Sequence, residues 1–96
     1  MMKVRMSAEL AALLGELAEL VGLANVAREK EFTYTMEYYG AKWIWIRRRP
    51  WCFENIVKAE DIVARDTRVT IANMEKAIEI MRKECGSGGD GDSNGD

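Results

Sequence analysis

The spacing of apolar residues predicts a long amphipathic helix near the start of the chain. From Ala8 to about Lys30, apolar side chains recur every three or four residues and form one stripe about 120° wide, given about 100° per residue. The stripe consists of Leu10, Leu13, Leu14, Leu17, Leu20, Val21 and Ala24. Ser7 is placed to cap this helix, and Glu9 lies in the first turn, where the helix dipole favours an acid.

A second face of the same helix carries only small residues, namely Ala11, Gly15, Ala18 and Gly22. A glycine inside a helix costs about 1 kcal/mol relative to alanine. Two interpretations stay open. The face either allows close approach of another helix, from this chain or from a second copy, or it is a weakly constrained exposed surface. We assign these four residues to self-association and predict a homo-oligomer.

Alternating residues after this helix predict an aromatic β-hairpin from Glu31 to Arg48. Phe32, Tyr34, Met36 and Tyr38 alternate with Thr33, Thr35, Glu37 and Tyr39. A second run, residues 43–48, follows Gly40, which suits a tight turn. Pro50 is expected to end the second strand, because proline has no N–H to donate to a sheet.

The register of this hairpin decides which way its tryptophans point, and the sequence leaves two registers open. A two-residue turn that begins at Gly40 puts Trp43 and Trp45 on one face with the tyrosines, and Ile44 and Ile46 on the other. A three-residue loop shifts the pairing by one residue, so that both isoleucines join Tyr38 and Met36 and both tryptophans turn away.

Weaker patterns follow the hairpin. Residues 54–65 are predicted to form a modest helix. Residues 67–71 form either a short third strand or the entry to the last helix, which is predicted from about Ala72 to Glu84. The chain is therefore predicted to be a single α+β domain over residues 1–85, with a long N-terminal helix, an aromatic hairpin and two C-terminal helices packed on one face of the hairpin.

Residues 86–96 contain only Gly, Ser, Asn and Asp, so we expect a disordered tail with no side chain to bury. Within it, Asp90, Asp92 and Asn94 have a spacing that resembles the first half of an EF-hand calcium loop. The glutamate that closes such a loop is missing, and we interpret the segment as a polar solubilising tail. No metal site is predicted.

Composition argues against an enzyme. The chain has no histidine and two distant cysteines, Cys52 and Cys85, so it lacks the usual general base and the ligands of a zinc site. We predict no catalytic residues and no cofactor. The cysteines are expected to be free thiols, with a disulfide as the alternative. Glu9, Glu16 and Glu19 interrupt the first apolar stretch, so we expect no export signal, no membrane span and a cytoplasmic location.

Aromatic residues and arginines concentrate in and after the hairpin. These residue types dominate the energetics of protein interfaces and also stack on bases. The predicted partner-binding residues are Tyr39, Trp43, Trp45, Arg47, Arg48 and Trp51. The sequence thus predicts a small non-enzymatic protein-interaction module, such as an adaptor, an assembly subunit or a small inhibitor encoded by a mobile element. The alternatives are binding of single-stranded nucleic acid by the hairpin, and a purely structural Trp/Tyr core rimmed by arginines. A net charge of −2 favours a protein partner over nucleic acid.

Overall fold

Two helices pack on one face of a three-stranded antiparallel sheet. The structure, a computed structural model, describes residues 7–40, 42–51 and 59–86. The elements in chain order are α1 (Ala8–Ala27), β1 (Phe32–Tyr39), β2 (Trp43–Pro50), β3 (Glu60–Arg68) and α2 (Ile71–Gly86). The strands lie side by side in the order β1-β2-β3, so the predicted α+β class is confirmed. The predicted tail over residues 86–96 lies, beyond Gly86, outside the described residues.

The first helix forms as its apolar pattern predicts. The Ser7 hydroxyl accepts a hydrogen bond from the Leu10 N–H at 3.1 Å and caps the N-terminus. Every residue of the predicted stripe is buried or half-buried, with Leu17 and Ala24 fully buried. The helix ends at Ala27, three residues before the predicted end, and the chain then turns into β1.

The hairpin adopts the register with a three-residue connection, and the two-residue turn is wrong. Tyr39 pairs with Trp43 and Met36 with Ile46 across the strands. Gly40, at φ +58°, begins the connection in the left-handed region that glycine favours. This register buries Ile44 and Ile46 completely beneath the helices. The indole rings therefore lie on the opposite face, because successive side chains of a strand alternate between faces.

A single helix follows the sheet, and the predicted helix over residues 54–65 is wrong where the structure describes it. Residues 60–65 belong to β3, while residues 54–58 lie outside the described residues. A third strand does exist, but it spans 60–68 rather than 67–71. The physical reason is that Val63 packs opposite Ile46 in the core. The pairing of β3 with β2 shifts register twice, and such bulges break the alternation by which a strand is recognised.

The core lies between the sheet and the helix pair, and all five elements contribute to it. The fully or nearly buried residues are Leu17, Val21, Ala24, Tyr34, Ile44, Ile46, Val63, Met74, Ala77, Ile78 and Met81. At the start of α2, Thr70 caps the helix by accepting a hydrogen bond from the Asn73 N–H at 3.1 Å. The last helix is confirmed, within a residue or two of its predicted bounds.

A side chain protects part of the sheet edge formed by β1. The Asn25 amide donates to the Tyr34 carbonyl at 2.9 Å and accepts from the Tyr34 N–H at 2.7 Å. It therefore satisfies both backbone groups of that residue, as a neighbouring strand would. Natural sheets cover exposed edges in this way to avoid unwanted strand pairing. Asn25 also fixes the end of α1 against β1.

Candidate functional site

The face of the sheet that turns away from both helices carries the aromatic and arginine side chains of β2. We call it the open face, and it includes Trp43, Trp45 and Arg47. The cross-strand partners of these residues extend it to both sides: Tyr39 lies opposite Trp43, Glu37 opposite Trp45, and Asp61 opposite Arg47. Trp43 and Trp45 are each half-buried. They are therefore partly accessible, although large aromatic rings on a sheet cover one another.

Three guanidinium groups lie over the two indole rings. The Arg68 Cζ is 5.0 Å from the centroid of Trp43, and the Arg47 and Arg65 Cζ atoms are 4.5 Å and 5.1 Å from that of Trp45. These distances fit cation–π interaction, which is worth about 0.5–1 kcal/mol at exposed positions. The Trp45 indole N–H also donates to Asp61 Oδ1 at 2.8 Å. The two guanidinium groups and the hydrogen bond to Asp61 thus hold the Trp45 ring in one orientation.

The arginines of the open face differ from the others in their ionic partners. Outside the open face, three described arginines are in ion pairs: Arg28, Arg48 and Arg82, with Glu16, Glu31, Glu60 and Glu84 as their partners. By contrast, within the described ranges no carboxylate lies within 4.0 Å of the guanidinium nitrogens of Arg47, Arg65 or Arg68. A guanidinium that lies flat on a ring keeps N–H donors along its edge. The open face therefore presents guanidinium groups that have no direct ion pair among the described residues, although Glu37, Asp61 and Asp66 lie on the same face.

A shallow cavity of about 480 Å³ opens on this face between Tyr39 and Trp43, with Arg65 and Asp66 completing its lining. Tyr39 is 37% exposed, and its hydroxyl donates to Glu37 Oε1 at 2.5 Å. That hydrogen bond is the main cause of the raised pKa of Tyr39. The cavity combines two aromatic walls with one arginine and one aspartate, and the aromatic walls suit an apolar or aromatic side chain of a partner.

Four of the six predicted binding residues lie on the open face: Tyr39, Trp43, Trp45 and Arg47. Arg48 points to the helix side, where it contacts Glu60 and Glu84. Trp51 follows β2 and is 53% exposed, with its backbone N–H bonded to the Glu31 carbonyl at 3.0 Å. The structure thus separates Arg48 from the other predicted residues.

Sequence reasoning missed the part of the open face that β3 supplies. Arg65, Arg68 and Asp61 contact the tryptophans, but they fell in a predicted helix or in a segment of unassigned type. The one sequence feature that could have indicated them is the pair of arginines, Arg65 and Arg68, shortly after the apolar pair Ile62–Val63. That signal is weak, because charged residues three apart equally suit the wet face of a helix.

At the opposite side of the sheet, four polar side chains meet at the end of α2. The Glu84 carboxylate accepts hydrogen bonds from the Tyr34 hydroxyl at 2.5 Å, from Arg48 at 3.1 Å and from Arg28 at 3.5 Å. We call these four residues the Glu84 cluster. Burial, and then the hydrogen bond to Glu84, raises the pKa of Tyr34. The cluster joins α2 to β1, β2 and the end of α1, and we assign it a structural role.

The described cysteine behaves as a core thiol. Cys85 is a half-buried free thiol whose Sγ donates to the Leu20 carbonyl at 3.2 Å. Burial is the main reason that its pKa is raised, so it is protonated at neutral pH and a poor nucleophile. Cys52 lies outside the described residues, so the predicted pairing state of the two remains a prediction. Across residues 7–40, 42–51 and 59–86, no group of three or more His, Cys, Asp or Glu is arranged to hold a metal ion.

The small-residue face of α1 is exposed along its whole length. Ala11, Gly15, Ala18 and Gly22 all point to solvent, and a Cβ added at either glycine would meet no atom within 4 Å. No described helix of the same chain approaches this face, so within the described residues it is an exposed surface, and its packing against a second copy remains a prediction. By length and composition α1 could also cross a membrane, a test that core helices and signal sequences pass as well. Only 17% of its most apolar window is buried.

Replacing Gly15 with alanine is expected to raise the free energy of unfolding by about 1 kcal/mol in the isolated chain, because helix propensity improves and the added methyl group meets open space. Gly22→Ala should raise the free energy of unfolding by a similar amount, whereas Ala18→Gly should lower it. Urea unfolding followed by circular dichroism measures these changes. If the face packs closely against a second copy, Gly15→Ala instead weakens association, and sedimentation at two protein concentrations separates the two outcomes.

Comparison with protein-family models, with curated proteins and with solved structures found no match to this chain.

Proposed function

We propose that this chain is a non-enzymatic protein-interaction module that binds its partner through the open face. The observation that supports this best is the combination of two tryptophans, a tyrosine and three arginines on a sheet surface that no described element covers. These arginines lack a direct carboxylate partner among the described residues. Interfaces are enriched in these residue types, and their truncation costs most of the binding energy. The module is proposed to work in the cytoplasm.

Single-stranded nucleic acid is the second candidate, because arginines beside aromatic rings also suit phosphates and bases. The state of Trp45 argues for a protein instead. Arg47 and Arg65 both lie over its ring, and Asp61 accepts its N–H. A base would have to displace a guanidinium to stack there. Trp45 therefore serves better as a rigid support for the arginines than as a stacking platform.

A second copy of the chain is proposed as a further partner, held through the small-residue face of α1. Gly15 and Gly22 leave that face flat enough for two helix backbones to approach closely. Leu23 and Val26 extend the exposed apolar surface toward the end of α1, at 51% and 72% exposure. Because α1 and the open face lie on opposite sides of the sheet, self-association would leave the open face accessible.

A photo-crosslinking amino acid at Thr35 is expected to trap the partner in cells that produce the chain. Thr35 is an exposed residue of β1 that lies opposite Arg47 on the open face. The matched control position is Glu79, an exposed residue of α2 on the far side of the molecule. We expect a discrete protein adduct from position 35 and none of the same size from position 79.

Two results of this experiment would contradict the proposal. The first is an adduct with nucleic acid at position 35, which nuclease digestion reveals and which supports the second candidate. The second is the same adduct pattern at both positions, which shows that the open face has no special role. Truncation of Trp43 to alanine in the position-35 variant should reduce the adduct, since this ring forms a wall of the cavity.

A further inference from the structure

We infer that the partner presents an extended acidic segment with one apolar anchor residue to the open face. This inference rests on the proposed function and names the chemistry of its partner. The described arginines fall into two sets that differ in their partners. Those outside the open face are already neutralised by glutamates, whereas Arg47, Arg65 and Arg68 are held by aromatic rings alone among the described residues.

The rings prepare these arginines for binding. A free arginine side chain loses rotamer freedom when it pairs with a carboxylate, and this loss cancels much of the gain at a surface. Arg47 and Arg65 have already lost part of that freedom on Trp45, and Arg68 on Trp43. A carboxylate that meets the edge of such a guanidinium can accept two parallel N–H bonds. The face is therefore pre-organised for carboxylates.

Carboxylates of the same face reduce its net positive charge but do not pair directly with these arginines. Asp61 accepts the Trp45 N–H and Glu37 accepts the Tyr39 hydroxyl, while Asp66 lines the cavity. Among the described residues, the guanidinium edges of Arg47, Arg65 and Arg68 therefore have no direct ionic partner. The chain as a whole is slightly acidic, whereas on this face the described arginines slightly outnumber the carboxylates. Complementary charge at an interface raises the association rate and selects against partners of the same sign. A basic partner would face three guanidinium groups that have no direct ion pair among the described residues.

The dimensions of the site fit a short extended segment. From Trp43 to Arg47 the strand advances four residues, or about 13 Å at about 3.3 Å per residue. An extended peptide of about five residues covers that distance. The cavity of about 480 Å³ between Tyr39 and Trp43 lies at the end of this track next to the hairpin turn. One apolar side chain anchored there would fix the register of acidic residues along the arginines.

The test measures binding of defined probes to the intact chain by fluorescence anisotropy. The probes are a labelled decapeptide of alternating Glu and Asp with one leucine, its counterpart with lysines in place of the acids, and a single-stranded oligothymidine of equal length. We expect the acidic peptide to bind more tightly than the other two probes. Replacing its leucine with serine should weaken binding, because the cavity then holds no apolar side chain.

Arg65→Gln and Arg68→Gln are each expected to weaken binding of the acidic peptide about fivefold, as typical surface charge pairs do. The matched controls are Lys76→Gln and Lys83→Gln, which remove the same charge from exposed positions of α2 and should leave binding unchanged. Thermal melts check that each variant is folded. Arg65→Lys and Arg68→Lys keep the charge but not the planar fork, so we expect losses smaller than those of the glutamine variants.

Several outcomes overturn the inference. These are no binding of the acidic peptide at low salt, equal binding of the basic peptide, tighter binding of the oligonucleotide, or equal losses in the α2 controls. The crosslinking experiment separates this failure from that of the proposed function. If the yield of the adduct at Thr35 is unchanged in the Arg65→Gln and Arg68→Gln variants, the open face binds a partner that is not acidic. If the adduct is a dimer of this chain, the acidic partner is likewise excluded.

Discussion

Replacing Ile46 with alanine is expected to lower the free energy of unfolding by about 3 kcal/mol. Ile46 is fully buried and packs among residues of both helices and of β1 and β3. Truncating a buried isoleucine removes about 2–5 kcal/mol, because transfer energy is lost and a cavity remains. A domain of this size has about 5–15 kcal/mol in total. Urea unfolding at neutral pH should therefore show a much lower midpoint with a similar slope.

Val26→Ala is the matched control for this prediction. Val26 is also a β-branched aliphatic residue, but it is 72% exposed on α1, and its truncation should change stability by less than about 0.5 kcal/mol. The pair tests the hairpin register directly. With a two-residue turn Ile46 would lie on the open face, so a loss below about 1 kcal/mol for Ile46→Ala would mean that the register is the other one.

Apolar patterns that repeat over many residues were enough to predict the first and last helices of the fold. In α1, the apolar stripe and the Ser7 cap agree over 20 residues, and each turn repeats the same signal. The hairpin was also predictable as an element, since two alternating runs flank Gly40. Its register was not, because one residue of loop length exchanges the two faces of a strand. Only the helices that cover Ile44 and Ile46 select between these faces.

The middle of the chain was not predictable for a different reason. β3 shifts register twice against β2, so its residues do not alternate regularly between the core and the open face. Ile62 and Val63 stand side by side, and Arg65 and Arg68 reach the same indole pair from positions three apart. Locally such a segment looks like a polar helix. Its strand character depends on backbone hydrogen bonds to β2, which are contacts distant in sequence.

Contacts between residues distant in sequence also limited the prediction of the candidate site. The tryptophans and Arg47 could be predicted because they are neighbours in one strand, whereas their contacts with β3 arise only from the sheet. Arg48 shows the reverse case. It adjoins Arg47 in sequence, but strand alternation sends it to the helix side and into the Glu84 cluster. Three consecutive arginines therefore do not form one patch, and a basic run in a strand must be divided by face before it is assigned a function.

Replacing Glu84 with glutamine is expected to destabilise the fold by about 2–3 kcal/mol. The carboxylate accepts hydrogen bonds from Arg28, Arg48 and the Tyr34 hydroxyl. Removing its charge leaves two partly buried guanidinium groups near the ring of Phe32 with weaker compensation. Breaking a fully buried pair costs about 3–5 kcal/mol, and exposure of about a fifth of these side chains reduces that figure. Glu79→Gln, at an exposed position of the same helix, should change stability by less than about 0.5 kcal/mol.

The cluster should also give the fold a specific sensitivity to alkaline pH. Burial raises the pKa of Tyr34 above its usual value near 10, and the hydrogen bond to Glu84 adds to this effect. The unfolded chain therefore releases this proton first as the pH rises. The contribution of Tyr34 to stability is complete below about pH 10 and is lost as the pH rises through the folded-state pKa. Tyr34→Phe lacks the titrating hydroxyl, so its stability should fall less steeply than that of the wild type above pH 10. Urea unfolding at several alkaline pH values measures both stabilities. If the wild type and Tyr34→Phe lose stability equally as the pH rises, this hydroxyl is not held in the folded state as described.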